Sequence, residues 1–288
     1  MILIDYSQVA ISNIAVQLAM SKDKNILSIP MVRHMILNSI RGYVHRFRND
    51  YPGEVVICVD GPDPWRRDIF EQYKAKRREG RNNDDKDWES VFGLIHTIKE
   101  EIRDNFPYKV VQLDKVEADD IIAVICKKNR EENILIVSGD KDFQQLQKYP
   151  NVFQYSPTQK KFVETDSPQE YIYEHILRGD TSDGIPNFLS PDDTFVNKIK
   201  QKPVSKKKLS GWIDSLMRGN DPQDFCNEYH YRNYQRNQRL IDFDYIPDDI
   251  ESDIYKEYEK VTVSSRSKLL PYMIKNDLRE LIGKIEEF

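Results

Sequence analysis

Cysteine is scarce in this chain of 288 residues: Cys58, Cys126 and Cys226 lie far apart, in apolar or mixed contexts. They build neither a disulfide framework nor a thiolate metal spacing, and a reducing cytoplasm fits such usage. Long apolar runs are missing too. None approaches the ~20 residues that span a bilayer, and no secretory signal opens the sequence. The positive charge expected of a nucleic-acid binder is also lacking, since 43 Lys and Arg stand against 48 Asp and Glu for a formal net charge of −5. That figure is an average, and the local distribution of charge decides more. No internal repeat is present.

What is there is charge, at 32% of residues, with a mean hydropathy of −0.68. The surface is therefore very polar, yet recurring apolar runs argue against disorder. The length suffices to bury a sizeable core, as one large domain or two small ones. "MILIDYS" reads as a buried strand ending at Asp5, and residues 31 to 48 have helical apolar spacing. "EVVICVDG" is a second strand, ending at Asp60 and broken by Gly61-Pro62. A helix is expected from about Trp88 to Asn105, then a third strand in "YKVVQLD" with a helix after it, then a fourth in "NILIVSGDKDF". Strands alternating with helices predict an α/β fold with a mostly parallel central sheet covered on both faces. After a short strand-and-turn passage, residues 168 to 288 read as helices separated by polar loops. The expected division is an α/β core over 1–165, including a basic arch at about 65–87, and a mainly helical half over 166–288.

In an open parallel sheet the ligand crevice forms at the carboxyl ends of the strands. Asp5 ends the first strand and Asp60 the second; Glu117 with Asp119 follows the third, and Asp140 with Asp142 the fourth. Glu117 and Asp119 can both point inward only if Glu117 precedes the first helical turn. "RGDTSDGIPN" adds Asp180 and Asp183, three apart and able to share one face of a helical turn. Any one of these acids is adequately explained as a helix cap or a solvated side chain. As a set they are not, because carboxylates crowded into one crevice repel unless cations neutralise them. Hard oxygen donors without nearby Cys or His select Mg²⁺ or Mn²⁺ over zinc. Such ions activate water and stabilise the charge developing on a phosphate. Asp120 is left over, for the helix dipole or a contact behind the ligands.

The stretch after Asp60 carries seven Lys or Arg against three acids between Arg66 and Arg81. Alone it reads as a solvated helix face. Beside an acidic metal site it gains a second meaning, since a polyanionic substrate must be guided past carboxylates that repel it. If the segment is helical, Arg66 and Lys74 lie about two turns apart and face one side. Gly80 to Asp85 is polar and rich in helix breakers, and the arch is expected to be mobile in the free protein.

"RRDIFEQYKAKR", "YKVVQLDKVEADDIIAV", "ILIVSGDKDFQQLQKYPNVFQYSP" and "LRGDTSDGIPN" resemble the arch and the third, fourth and fifth acidic motifs of the flap endonuclease and 5′-nuclease superfamily. "LIDFDYIPDDI" and the closing "KIEEF" resemble the T-even bacteriophage ribonuclease H branch in particular, and the resemblance runs from Asp5 to Phe288. It implies a 5′-to-3′ nuclease that removes RNA primers and 5′ flaps during lagging-strand replication, with two Mg²⁺ positions at which Mn²⁺ may substitute. Asp5, Asp60, Glu117, Asp119, Asp140, Asp142, Asp180 and Asp183 would surround the metals, and Arg66 and Lys74 would contact the scissile phosphate. Arg67, Lys76, Arg77, Arg78 and Arg81 would supply further nucleic-acid contacts. The implied substrates are RNA–DNA hybrid, nicked duplex and 5′-flap or forked DNA. A monomer in the cytoplasm of a bacterial host, with a phage single-stranded-DNA-binding protein as partner and no membrane association, completes the expectation. One departure is visible: "GIPNFLSPDDTFV" keeps Gly184 and Pro186 but not the later glycines of the superfamily's duplex-gripping hairpin. Because Met1 opens directly into the first strand, no N-terminal extension is expected to carry a partner-binding peptide.

Two rivals remain. A haloacid-dehalogenase-like Mg phosphatase needs Asp-x-Asp-x-Thr after its first strand, and "DYSQV" has no second Asp. A catalytically silent branched-DNA-binding module would have lost some of the expected acids, and all are present.

Overall fold

A computed structural model describes residues 1–21, 27–82 (backbone only at Asn82), 84 and 86–288. Strands β1 (Ile2–Asp5), β2 (Val55–Cys58), β3 (Lys109–Val111), β4 (Ile134–Val137), β5 (Val152–Ser156) and β6 (Lys161–Val163) form one sheet in the order β3-β2-β1-β4-β5-β6. β1 to β5 run parallel, and β6 returns antiparallel on β5. Burial on both faces explains why β1, β2 and β4 read as apolar runs. Ile2, Ile4, Ile57, Val110, Leu135 and Val137 point to one face, with helices α1 (Tyr6–Met20), α2 (Ile29–Phe47) and, past the arch, α5 (Trp88–Asn105). Leu3, Val56, Cys58, Val111 and Ile136 point to the other, beneath α6 (Ala118–Lys128).

The order doubles back at β1, whose neighbours are β2 and β4. That switch point opens a crevice at the carboxyl edge, where Asp5 and the loop after β4 meet.

The arch is not one continuous helix. A single turn, α3 (Arg66–Ile69), stops at extended Phe70; Lys74 takes a φ of +55°, and α4 (Ala75–Asn82) starts after it. Gly80 and Arg81 are helical, whereas Asn83 and Asp85 at the expected tip lie outside the described residues.

Helices α7 (Pro168–Arg178), α8 (Lys206–Met217) and α9 (Glu228–Ile241) share a third core with Phe70 and Tyr73 at the base of the arch. Beyond α9 the chain returns to the sheet. Phe243 and Ile246, with Ile254 and Tyr258 of α10 (Asp248–Lys260), pack on the α6 face, and Leu269 to Phe288 pack on the face of α2 and α5. The closing segment is broken into short turns at Leu269–Lys275 and Arg279–Ile282. Among the described residues no helix is long and apolar enough to cross a membrane.

Candidate active site

Asp5 is at once the last residue of β1 and the N-cap of α1. One carboxylate oxygen accepts from Gln8 N at 3.1 Å and the other from Ser138 Oγ at 3.0 Å. Asp60, two residues past β2, ties the starts of two helices together, accepting from Ser7 Oγ at 2.5 Å and Ala118 N at 2.9 Å. Glu117 caps α6 and so stands outside the first turn, which lets Asp119 behind it face the same crevice. Asp140 caps the 3-10 helix Lys141–Lys148 that carries Asp142. Burial, with Asp60 and Asp140 as like-charged neighbours, pushes the Asp5 carboxyl up to about 7. Asp119 is raised well above the ordinary carboxylate range by burial and then by Asp140, Asp5 and Asp60. The two groups thus share neighbours, and like charges gathered at one point raise one another, with Lys74 opposing the rise at Asp119.

A second group lies beside it. Burial carries Asp142 up to about 7; His175 opposes that rise, while Asp140, Asp180 and Asp183 add to it. Asp180 and Asp183 sit in a tight turn rather than on a helical face, and Asp180 Oδ1 accepts from Ser182 N at 2.7 Å and Asp183 N at 3.2 Å. The turn needs its glycines. Gly179 has φ +66°, and a Cβ there would stand 2.3 Å from Ile185 O; Gly184 has φ +78° and backs onto Gln72 O of the arch. Two of the three donors nearest this position were expected; His175, its Nδ1 3.4 Å from Asp142 Oδ1 and its Nε2 3.5 Å from Asp180 Oδ2, was not. A cleft of about 700 Å³ opens here between Gln8, Asp140, Asp142, His175 and Asp180.

The arch cations face these acids. Lys74 Nζ donates to Glu117 Oε1 at 2.5 Å and lies 3.6 Å from Asp183 Oδ2; Lys74 N donates to Asp183 O at 2.7 Å. Burial alone would lower the Lys74 pKa, but Glu117, Asp183 and Asp119 carry it above its ordinary value. Burial would likewise raise Glu117, and Lys74 and Arg66 instead hold it below the usual carboxylate range. Tyr73 was not foreseen: its hydroxyl lies 2.9 Å from Glu117 Oε2 and 3.1 Å from Asp183 Oδ2.

Arg66 is placed differently from the expectation of a phosphate contact. It is 3% exposed, and its guanidinium donates to Leu240 O, Glu117 Oε2 and both oxygens of Asp120 at 2.7–2.9 Å. Asp120, fully buried, also accepts from Trp65 Nε1 at 3.0 Å and from Glu117 N at 3.1 Å. The leftover acid is therefore the anchor of the arch. Of the other basic residues, Arg77 pairs with Asp183 and donates to Ser182 O at 3.2 Å. Arg67 pairs with Asp63, Lys76 lies over the Phe195 ring and Arg81 over Phe92, while Arg78 is exposed.

Residues 2–175 match the family model of the 5′-3′ exonuclease N-terminal resolvase-like domain, and residues 166–288 match that of the T4 RNase H C-terminal domain. The chain belongs to the 5′-3′ exonuclease family. Ribonuclease H of Enterobacteria phage T4 is 37% identical over 99% of this chain and 95% of its own length. DNA polymerase I of Bacillus subtilis is 24% identical over 62% of this chain and 22% of its own length. Among solved structures, bacteriophage T5 5′-exonuclease with bound zinc superposes with a TM-score of 0.62 at 15% identity, covering 91% of this chain and 98% of that one. The T5 flap endonuclease in a pseudo-enzyme–product complex with DNA and metal ions gives 0.60 at 15% identity, covering 90% and 98%. The 5′-3′ exonuclease assignment makes this chain a nuclease and sets the phosphatase alternative aside.

Proposed function

We propose that this chain is a divalent-metal-dependent 5′-3′ nuclease that removes RNA primers and 5′ flaps on the lagging strand during DNA replication. One observation carries the reading: Asp5, Asp60, Asp119 and Asp140 converge on one sheet edge, Asp142, Asp180 and Asp183 stand beside them, and Lys74 adjoins both through Glu117 and Asp183. An oxygen-rich donor set in which burial and like-charged neighbours raise Asp5, Asp119, Asp142 and Asp183 fits hard divalent ions. On this reading the first four acids hold one Mg²⁺ and the last three a second, with Glu117 on the arch side and Mn²⁺ able to substitute. Bound there, the ions supply an activated water and offset the charge developing on the phosphate.

The chain's own groups divide the remaining work. Lys74 Nζ would exchange its contacts with Glu117 and Asp183 for the scissile phosphate, while Arg66 and Arg77 keep those two acids paired. Arg66 acts through Glu117 and Asp120, fixing the base of the arch. Arg67, Lys76, Arg77, Arg78 and Arg81 give a sequence-independent, salt-dependent attraction for phosphates. The proposed substrates are RNA–DNA hybrid, nicked duplex and 5′-flap or forked DNA, gripped by the helical half over 166–288. The same reading has the enzyme act as a monomer in a bacterial host's cytoplasm, with a phage single-stranded-DNA-binding protein as partner.

Product mapping in Mg²⁺ on matched end-labelled RNA–DNA hybrid, nicked and flapped substrates tests it. Short 5′ products from all three are expected. A band shift without cleavage would support the silent binding module instead, and release of inorganic phosphate alone would restore the phosphatase.

A further inference from the structure

We propose that His175 is a nitrogen ligand of the Asp142–Asp180 metal position, and that this position therefore favours Mn²⁺ over Mg²⁺. The inference rests on the metal-dependent reading above and deepens it. Three observations meet at this residue. Asp142, His175 and Asp180 each offer one donor atom, and the three atoms lie within 4.8 Å of one another. The sides of an octahedron around a metal bound at about 2.1 Å are about 3 Å and its diagonals about 4.2 Å, so small movements suffice to close such a set.

The ring is also held for the purpose. His175 sits in the last turn of α7, edge-on to Tyr171 with ring centroids 5.7 Å apart, and the left-handed turn at Gly179 folds Asp180 back toward it. Its Nδ1 is buried and has no hydrogen-bond partner, although Asp142 Oδ1 is 3.4 Å away. Buried side-chain nitrogens are ordinarily hydrogen-bonded, so an unpartnered one calls for a ligand or another explanation. Third, the cleft of about 700 Å³ opens at this group and leaves room for the waters of a partly hydrated ion.

The consequence is selectivity. Mg²⁺ demands near-ideal octahedral oxygen coordination and dehydrates reluctantly, whereas imidazole suits transition ions. The group at Asp5, Asp60, Asp119 and Asp140 offers oxygen alone. The two positions of this enzyme thus differ in kind, and its Mn²⁺ preference belongs to the one nearer the turn.

The test is electron spin-echo spectroscopy of the full-length protein loaded with Mn²⁺, alongside Mg²⁺ competition followed by the signal of free Mn²⁺. The parent should show a ¹⁴N coupling on bound Mn²⁺ that His175→Gln lacks. The variant should lose about tenfold or more in Mn²⁺ affinity at that position while its Mg²⁺ affinity changes less than about threefold. The parent spectrum requires no variant to fold, so the measurement decides even if His175→Gln is unstable. Bound Mn²⁺ without a ¹⁴N coupling, or an unchanged Mn²⁺-to-Mg²⁺ preference in the variant, overturns the inference and leaves metal dependence standing. Failure of the parent to bind either ion overturns both.

Discussion

Lys74 is held by Glu117 and Asp183, so the proposed phosphate contact requires it to leave Glu117 and should be visible in rate rather than in affinity. A contact made to charge developing in the transition state lowers the single-turnover rate when it is lost. Lys74→Ala should bind a 5′ flap nearly normally and cleave it at least tenfold more slowly, a loss of ~1.4 kcal/mol or more. Arg81→Ala should lose a little affinity at a near-parental single-turnover rate if, as proposed, it supplies only diffuse attraction. Full rescue of Lys74→Ala at low salt would reduce the lysine to part of a charged surface. Arg66 calls for a different readout. Its removal strands the buried Asp120 carboxylate, and breaking a buried pair costs ~3–5 kcal/mol. Arg66→Ala should therefore show a larger drop in melting temperature than Lys74→Ala, whose partners Glu117 and Asp183 keep Arg66 and Arg77. Asp119→Asn should abolish turnover, and Asp183→Asn should raise the Mg²⁺ concentration needed for half-maximal rate. Parental rates for both across a Mg²⁺ titration would contradict the convergence.

At the scale of elements, the turn carrying Asp180 and Asp183 is built against the arch. Gly184→Ala forces a non-glycine residue to a φ of +78° and sets its Cβ 3.1 Å from Gln72 O. The left-handed backbone alone costs about 1–2 kcal/mol, and the push falls on the segment that positions Lys74. Lower stability together with slower flap cleavage is expected; a thermally and kinetically silent substitution would contradict this docking. Elements that bury both faces announced themselves in the sequence, as the apolar strands did. Helix α1 did not, although Tyr6, Val9, Ala10, Ile14 and Leu18 are spaced for one buried face. Its N-cap is the strand's own last residue, Asp5, so no Gly or Pro marks where strand becomes helix. Contacts across the chain were equally illegible. A charge run reads as solvated, and nothing near Arg66 reveals that Leu240 O, 174 residues away, accepts from its Nε. His175 becomes a neighbour of Asp142 only once Gly179 turns the chain. Asp5, Asp60, Glu117, Asp119, Asp140 and Asp142 were legible because each lies at or just after a strand end or at a helix start, and Asp180 and Asp183 because they crowd the short stretch "RGDTSDGIPN".

For the whole molecule, the proposed metal centre should make stability depend on pH and on metal together. Asp5 and Asp142 have carboxyls raised from 3.8 to about 7 in the folded protein. A raised carboxyl binds more protons folded than unfolded, so its contribution is fully present below about pH 4 and is lost as pH rises through about 7. In chelator, the melting temperature contributed by this cluster should fall between pH 5 and pH 8. Mg²⁺ should reverse that trend at the upper end, because an ion binds the ionised acids and stabilises only the folded state. A melting curve at pH 8 indifferent to Mg²⁺ would argue that the acids are held by Lys74, Arg77 and His175 alone.

The central claim is that these carboxylates are a metal-dependent phosphodiester-cleaving centre, and one measurement reads it directly. Single-turnover cleavage of an end-labelled 5′ flap should be followed together with binding of the same substrate, first in Mg²⁺ and then in excess EDTA. The account predicts that EDTA abolishes cleavage, leaves binding largely intact, and that restored Mg²⁺ restores cleavage. Undiminished cleavage in excess EDTA would contradict it.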